Sequence, residues 1–292
     1  MPSLKEIKTR IGSVQGTLKI TSAMKMVAAA KLHRAQQAVT GMLPYQQALY
    51  RMLSTVAGSR PVLLSSRPRV EDPRGEISPR VLILAVASNS SLCGAFNANA
   101  VRKVLDTLRE YAEEGIPDKN ITVLSIGRKM ADAMRRIGRD TGDLSRLIDK
   151  PSFPEAAAFA DTVIERFQDG EFDRVEWIYN HFVSTASQVP VRETWLPFSP
   201  EISASDPDRL VLLEPSRDEL LRDLLPKLMR LKAYTVLLDS SAAEHAARTV
   251  AMQTATDNGE DILEELTLEY NKGRQQKITS EILDIVGGSM QD

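Results

Sequence analysis

Apolar residues near the amino terminus recur at alternating intervals of three and four positions, the spacing of a coiled-coil contact seam. The residues in this seam are Leu4, Ile7, Ile11, Val14 and Leu18. After Thr21 most side chains in the seam are small. They are alanines with interleaved methionines, which allow a second helix to approach closely. Between Ser3 and Ala57 only Pro44 interrupts the helical composition. A helix of about 55 residues would be roughly 80 Å long, more than a compact domain needs.

A second long helical pattern runs from Arg217 to about Gly287, where Gly287 and Gly288 predict its end. Pro226 predicts a kink in its first turns. The helix carries two segments of apolar seam, the first at Leu263, Leu266 and Tyr270 and the second at Ile278, Ile282 and Ile285. Because the two long helices enclose every other element in sequence, they are predicted to pair in antiparallel orientation.

The middle of the chain alternates between short apolar runs and amphipathic segments. Apolar runs at 81–88 and 121–127 predict strands, followed by predicted helices at 97–115 and 129–138. Wholly apolar strands joined by helices predict a parallel sheet that is buried on both faces. The remaining predicted elements are a helix at 154–168 and two β-rich runs at 174–183 and 189–196.

These patterns predict an α/β fold, in which a long antiparallel coiled coil of the N- and C-terminal helices carries a central Rossmann-like α/β domain. A segment with four prolines and scattered charges separates the first helix from the domain and is predicted to be a linker. The predicted parts are the N-terminal coiled-coil helix (1–57), the linker (58–79), the central α/β domain (80–200), a connector (201–216) and the C-terminal coiled-coil helix (217–292).

Charge is distributed unevenly, although the whole chain of 292 residues carries a net charge of only −2. The first 57 residues contain eight basic side chains and one acidic one, whereas residues 240–292 contain ten acidic and four basic side chains. Opposite charges on two helices favour their pairing, but each exposed contact contributes only about 0.2–1 kcal/mol. The charges are therefore expected to select the partner helix, while the apolar seam stabilises the pair.

The sequence offers little that could carry out chemistry. Cys93 is the only cysteine, it has no histidine near it in sequence, and the three histidines are too dispersed for a metal motif. Neither predicted strand is followed by a glycine-rich phosphate loop. The longest apolar run, 81–87, is far shorter than the roughly 20 residues of a membrane helix. The chain is therefore expected to be non-catalytic, without cofactor or metal, and to meet a membrane only through partners.

Three segments together resemble the gamma subunit family of F-type ATP synthases. They are LKEIKTRIGSVQGTLKITSAMKMVAAAKLHRAQ at the amino terminus, SLCGAFN after the first strand, and EHAARTVAMQTATDNGEDILEELTLEYNKGRQQKITSEILDIVGG at the carboxyl terminus. They lie in the family's order, and the implied architecture covers the whole chain. The last segment is the most specific, because it combines a long seam with a cluster of basic and amide side chains.

The resemblance implies a central rotor shaft that threads a hexamer of alternating alpha and beta subunits. Rotation of the membrane c ring would then drive the catalytic beta subunits through different nucleotide affinities, for ATP synthesis or, in reverse, hydrolysis. Other implied partners are the epsilon subunit and the c ring itself, with one copy of the chain per complex and no nucleic acid. The implied location is peripheral, on the cytoplasmic side of a bacterial inner membrane.

The resemblance also implies which residues contact these partners. Positions near the bearing and catch loops of the hexamer are matched by Lys25, Met26, Arg248, Arg274, Gln275 and Thr279. Foot positions near epsilon and the c ring are matched by Pro44, Tyr45, Glu214 and Pro215. The chain departs from the family at Ser88–Ser91, where a charged residue and a glycine are common, which leaves the role of that turn open.

Two other functions remain open at the level of sequence. The basic first helix could bind nucleic acid, although the acidic C-terminal helix would neutralise it and no aromatic residues interleave its charges. A non-catalytic coiled-coil scaffold is the stronger alternative. A scaffold predicts a symmetric homodimer, whereas a shaft predicts that the two long helices pair within one chain.

Overall fold

A computed structural model describes residues 3–57, 78–139, 141–198 and 213–288, with side chains as far as Leu283. Residues 58–77 of the predicted linker (58–79) and residues 201–212 of the predicted connector (201–216) lie outside the described residues. Two helices dominate the molecule, α1 at Leu4–Ala57 and α6 at Arg217–Gly288, with 54 and 72 residues. The long helices predicted at both ends are therefore confirmed.

Local sequence explains where each long helix begins. Ser3 and Glu6 form a capping box, in which the Glu6 amide donates to Ser3 Oγ at 3.2 Å and the Ser3 amide donates to Glu6 Oε2 at 2.9 Å. At the start of α6 the Glu219 amide donates to Ser216 Oγ at 3.3 Å. Both helices continue through their internal prolines, Pro44 and Pro226.

The pairing of α1 with α6 is antiparallel and has one register throughout. Leu4 lies against Gly273 and Leu18 against Gly259. Further along, Thr256 Oγ1 donates to Thr21 Oγ1 at 3.0 Å. The residue numbers of each pair have the same sum, so the helices run in opposite directions without a change of register. The predicted antiparallel coiled coil is confirmed.

Charge pairing is not what joins the two helices. Among residues 3–57 and 217–283 no ion pair within 4 Å connects α1 to α6, so direct charge contacts do not stabilise the pair. Instead, buried small and apolar side chains hold the pair together. In its middle these are Leu32 and Ala35 of α1 with Ala242 and Ala246 of α6.

The central domain contains a four-stranded sheet in the order β2-β1-β3-β4. The strands are β1 (Val81–Val86), β2 (Ile121–Ile126), β3 (Arg174–Phe182) and β4 (Gln188–Leu196). Pairs β1–β2 and β1–β3 are parallel, as predicted, while β3 and β4 form an antiparallel hairpin that makes the sheet mixed.

Helices cover both faces of this sheet. They are α2 (Phe96–Glu113), α3 (Arg128–Arg136), α4 (Arg146–Asp149) and α5 (Phe153–Gln168), and only the short α4 was not predicted. Alternate residues of β1 point to opposite sides, so that Leu82 and Leu84 pack towards α5 and α6 while Ile83 and Ala85 pack towards α2 and α3. This two-sided burial explains why β1 is apolar at every position.

Candidate functional site

The residues predicted to contact partners lie in three separate regions of the coiled coil. The middle region contains Lys25, Met26 and Arg248; the tip region contains Arg274, Gln275 and Thr279; the foot region contains Pro44, Tyr45, Glu214 and Pro215. Along α6, Arg248 and Arg274 are separated by about 39 Å of helix. Along α1, Lys25 and Tyr45 are about 30 Å apart. The candidate site is therefore a series of surfaces along one axis.

Lys25 is already engaged within the chain. Its Nζ donates to Gln253 Oε1 at 2.5 Å, and Gln253 Nε2 donates to Asp257 Oδ1 at 2.5 Å. Met26, the next residue, leaves 63% of its surface exposed. Of this adjacent pair, the apolar side chain is thus the one that is available to a partner, whereas the lysine stabilises the helix pair.

Arg248 is buried and holds the central domain against α6. Its Nη1 donates to Glu244 Oε1 at 2.5 Å, one turn earlier on the same helix. Its Nη2 donates to Ser90 Oγ at 2.7 Å and to the Ser91 carbonyl at 3.3 Å. Burial raises the pKa of Glu244, and the adjacent Arg248 opposes that rise. Within the isolated chain this predicted bearing residue is an internal contact.

The turn that follows β1 presents these acceptors to Arg248. Asn97 Oδ1 accepts hydrogen bonds from the amide and the hydroxyl of Ser88, both at 3.0 Å. Leu92 adopts a φ of 67°, an uncommon conformation for a leucine, and leaves 60% of its surface exposed. The Ser88–Ser91 departure thus has a structural role, which the sequence signalled only as a polar run after an apolar strand.

His245 occupies a shallow pocket beside Arg248, a position that the dispersed histidine pattern did not reveal. The pocket has a volume of about 230 Å³ and is lined by Ala23, Met24, Val27, Ala28, Lys31, His245 and Arg248. Burial, together with the positive charges of Arg248 and Lys31, lowers the pKa of His245 to about 4. The imidazole is therefore neutral at pH 7.

The tip region extends beyond the helix pair. A Cβ at Gly273 would lie 3.0 Å from Leu4 Cδ2, and α1 begins at that level. All three tip residues are exposed, and Thr279 Oγ1 donates to the Gln275 carbonyl at 2.9 Å. The second predicted seam does not pack on α1, since Ile278 and Ile282 are 46% and 54% exposed. This part of α6 presents an apolar surface that no helix among the described residues covers.

The foot residues are exposed but do not form one surface patch. Pro44 and Tyr45 lie on the outside of α1, and Tyr45 is 50% exposed. Glu214 and Pro215 precede α6 and are joined by a cis peptide bond. In the register of the helix pair Tyr45 is level with Lys232, about 22 Å of helix from Arg217, where α6 begins just after Glu214 and Pro215. The structure therefore separates the two halves of the predicted foot.

The sheet has a crevice where many α/β proteins bind nucleotides, but α6 fills it. Strand order reverses between β1 and β3, and ligands of such folds usually bind at the carboxyl ends of these strands. At that point Phe182 packs against the buried alanines Ala242 and Ala246 on one side and Ala243 and Ala247 on the other. The long helix α6 therefore occupies this crevice.

Metal-binding clusters and membrane-spanning helices are both absent from the described parts of the chain. No cluster of three histidine, cysteine or acidic side chains in these parts has a geometry that could hold a metal ion. The described helices also contain no stretch that combines the length and the hydrophobicity needed to cross a bilayer.

Comparison with known proteins identifies close relatives over the full length. Residues 3–290 match the family model described as ATP synthase. An ATP synthase gamma chain from Phocaeicola vulgatus is 50% identical over 99% of this chain and 100% of its own length. One from Flavobacterium johnsoniae is 40% identical over 99% of this chain and 98% of its own.

Solved structures share the architecture at lower sequence identity. A chain of the Euglena gracilis mitochondrial ATP synthase, in a structure of OSCP, F1 and c-ring, has a TM-score of 0.66 and 22% identity, covering 98% of this chain and 93% of that one. A chain from the central stalk and c-ring of the Tetrahymena thermophila mitochondrial enzyme has a TM-score of 0.56 and 25% identity, covering 81% and 99%.

Proposed function

The chain belongs to the ATP synthase gamma chain family and forms the central stalk of an F-type ATP synthase, and we propose how it works as a rotor shaft. It couples rotation of a membrane c ring to conformational cycling of the catalytic beta subunits. The observation that carries the mechanical proposal is the one-chain antiparallel helix pair, whose longer member extends past its partner and exposes Ile278 and Ile282.

The shaft acts by linkage rather than by chemistry. A helix pair with one extended end and one attached domain has no rotational symmetry, so each surrounding catalytic subunit meets a different surface. Whichever subunit conformation binds that surface best is favoured, and its nucleotide affinity changes by the difference in contact free energy. The chain itself is non-catalytic, and the catalytic sites belong to the beta subunits.

Each region of the candidate site has its own partner in this proposal. The tip region and Met26 contact the alpha and beta subunits, since their side chains are exposed around the upper part of the coiled coil. Arg274 and Gln275 supply charge-assisted and amide hydrogen bonds that form and break during rotation. The foot region contacts epsilon and the c ring on the cytoplasmic side of the bacterial membrane. Lys25 and Arg248 support these surfaces from within the helix pair.

Reconstitution with the alpha and beta subunits of the same organism tests the shaft function. We expect one copy of the chain per hexamer and an ATPase activity that depends on its presence. A stable homodimer that does not bind the hexamer would instead support a scaffold and contradict the proposal.

A paired substitution tests the tip contacts in the same assay. Arg274→Ala combined with Gln275→Ala is expected to lower the ATPase activation about tenfold, because both contacts are lost at the interface. Glu260→Ala, also exposed on α6, is the matched control and should leave activation unchanged. Equal activity of both variants would show that the tip side chains do not contact the hexamer.

A further inference from the structure

The segment of α6 between Arg230 and Arg248 connects the central domain to the coiled coil. Its side chains make polar contacts with four different parts of the domain. The contacts are Arg230 with Asp161 of α5 at 2.6 Å, Lys232 with Glu193 of β4 at 2.6 Å, Asp239 with His181 and Phe182 of β3, and Arg248 with the turn after β1. The domain also packs on α1 and on the first turns of α6, so this segment carries part of any rotation applied to the domain.

The four contacts differ in burial. The side chains of Arg230 and Asp161 are each more than a third exposed, so water screens that pair and it contributes little. Asp239 is only 17% exposed and Arg248 only 11%. Asp239 and Arg248 are thus the least exposed of the four α6 side chains, and their contacts are the ones best able to hold a fixed geometry.

Asp239 connects α6 to the backbone of a core strand. Its Oδ1 accepts the amide of Phe182 at 3.0 Å, and its Oδ2 lies 2.5 Å from His181 Nδ1. A backbone amide at the end of a paired strand cannot turn away as an arginine or lysine side chain can. Phe182 itself packs among the alanines of α6, so polar and apolar contacts fix the same point.

We propose that Asp239 is a positioning residue for torque transfer. It fixes the angle at which the α/β domain is mounted on α6, so that rotation of the domain reaches the coiled coil without slipping. This inference rests on the proposed shaft function. Asp239 is not one of the predicted partner contacts, and changing it leaves the tip, middle and foot regions intact.

The measurement that tests this role is the number of protons pumped per ATP hydrolysed, in membrane vesicles that contain the complete complex. With Asp239→Ala we expect ATPase activity to persist and the pumped ratio to fall by about twofold or more, because the domain slips against α6. Asp239→Asn should recover part of the ratio, since its amide oxygen can still accept the Phe182 amide. Asp161→Ala, which breaks the exposed Arg230 contact, is the matched control and should pump normally.

The possible results separate a failure of this inference from a failure of the proposed shaft function. If complexes with the unaltered chain fail to assemble or pump, the shaft function is wrong. If they pump and Asp239→Ala pumps at the same ratio per ATP, only the role of Asp239 is wrong. A residue needed merely for stability would lower the yield of complex without changing the ratio in complexes that assemble. Should Asp239→Ala not assemble, the ratio measured with Asp239→Asn decides, and an unchanged ratio overturns the proposal.

Discussion

At the scale of single residues, His245 shows how the close helix pair affects ionisation. It is 9% exposed, and both neighbouring charges that lower its pKa, Arg248 and Lys31, are positive. Its pKa is about 4 in the folded chain, against an ordinary value of 6.5 for histidine. The folded state therefore binds this proton less readily than the unfolded state does.

A dependence of stability on pH follows from this difference. The contribution of neutral His245 is fully present above pH 6.5 and is lost as the pH falls towards 4, by up to about 3 kcal/mol. In urea unfolding between these pH values, His245→Gln should lose less stability than the unaltered chain. His33→Gln, at an exposed position of α1, should behave like the unaltered chain.

The pKa of Glu244 is also shifted, so the effect of His245 on stability has to be measured as a difference between His245→Gln and the unaltered chain. The pKa of Glu244 is raised by burial, so its protonation over an overlapping pH range favours the folded state and acts in the opposite direction. Because Glu244 is present in both proteins, the difference between them isolates His245. An identical pH profile for His245→Gln and the unaltered chain would contradict the assigned burial of the imidazole.

At the scale of the elements, glycines decide how closely α1 and α6 approach. A Cβ at Gly259 would lie 2.7 Å from Leu18 Cδ2 and 3.2 Å from its Cγ, so Leu18 occupies the space that a side chain would need. By contrast, Gly16 on α1 has nothing within 4 Å of the corresponding position. The same residue type therefore has a packing role at one site and none at the other.

Alanine substitution at these two glycines should have different effects. Gly16→Ala is expected to stabilise the chain by about 0.5–1 kcal/mol, because alanine favours the helix and meets no neighbour. Gly259→Ala gains the same helix propensity but displaces Leu18, so it should be less stable than Gly16→Ala by about 1–3 kcal/mol. Thermal unfolding of the two variants measures this difference, and equal stability would mean that Leu18 does not pack on Gly259.

At the scale of the whole molecule, α6 has a different environment in each part of its length. Its first half packs on α5, β3 and α1, its second half packs on α1 as far as Gly273, and beyond Gly273 it extends past the first residue of α1. An exposed apolar end is costly in water unless another molecule covers it, and in the proposed complex the surrounding hexamer does so.

Polar substitutions at this end should separate folding from assembly. Ile278→Ser combined with Ile282→Ser is expected to change the unfolding free energy of the isolated chain by no more than about 0.5 kcal/mol, because both side chains are already exposed. Activation of the hexamer should fall, since the apolar contact surface is lost. A large loss of stability in the isolated chain would instead place these residues in an intramolecular seam.

The sequence by itself determined the elements, the antiparallel helix pair and the family of this protein. The three-and-four spacing of Leu4 to Leu18 and the apolar run of β1 depend on local periodicity, which is written along the chain. The tip residues could be named in advance because the segment that contains them resembles the gamma subunit family, although their contacts with partners remain predictions.

Only the tertiary structure decided the contacts between elements. The contact of Arg248 with Ser90 could not be read from the sequence, and Asp239 gave no local signal because its partners, His181 and Phe182, are distant in sequence. The sequence did not show how closely the two long helices approach, whereas in the structure small side chains and glycines set their spacing. These outcomes depend on how surfaces fit in three dimensions, which composition and periodicity do not specify.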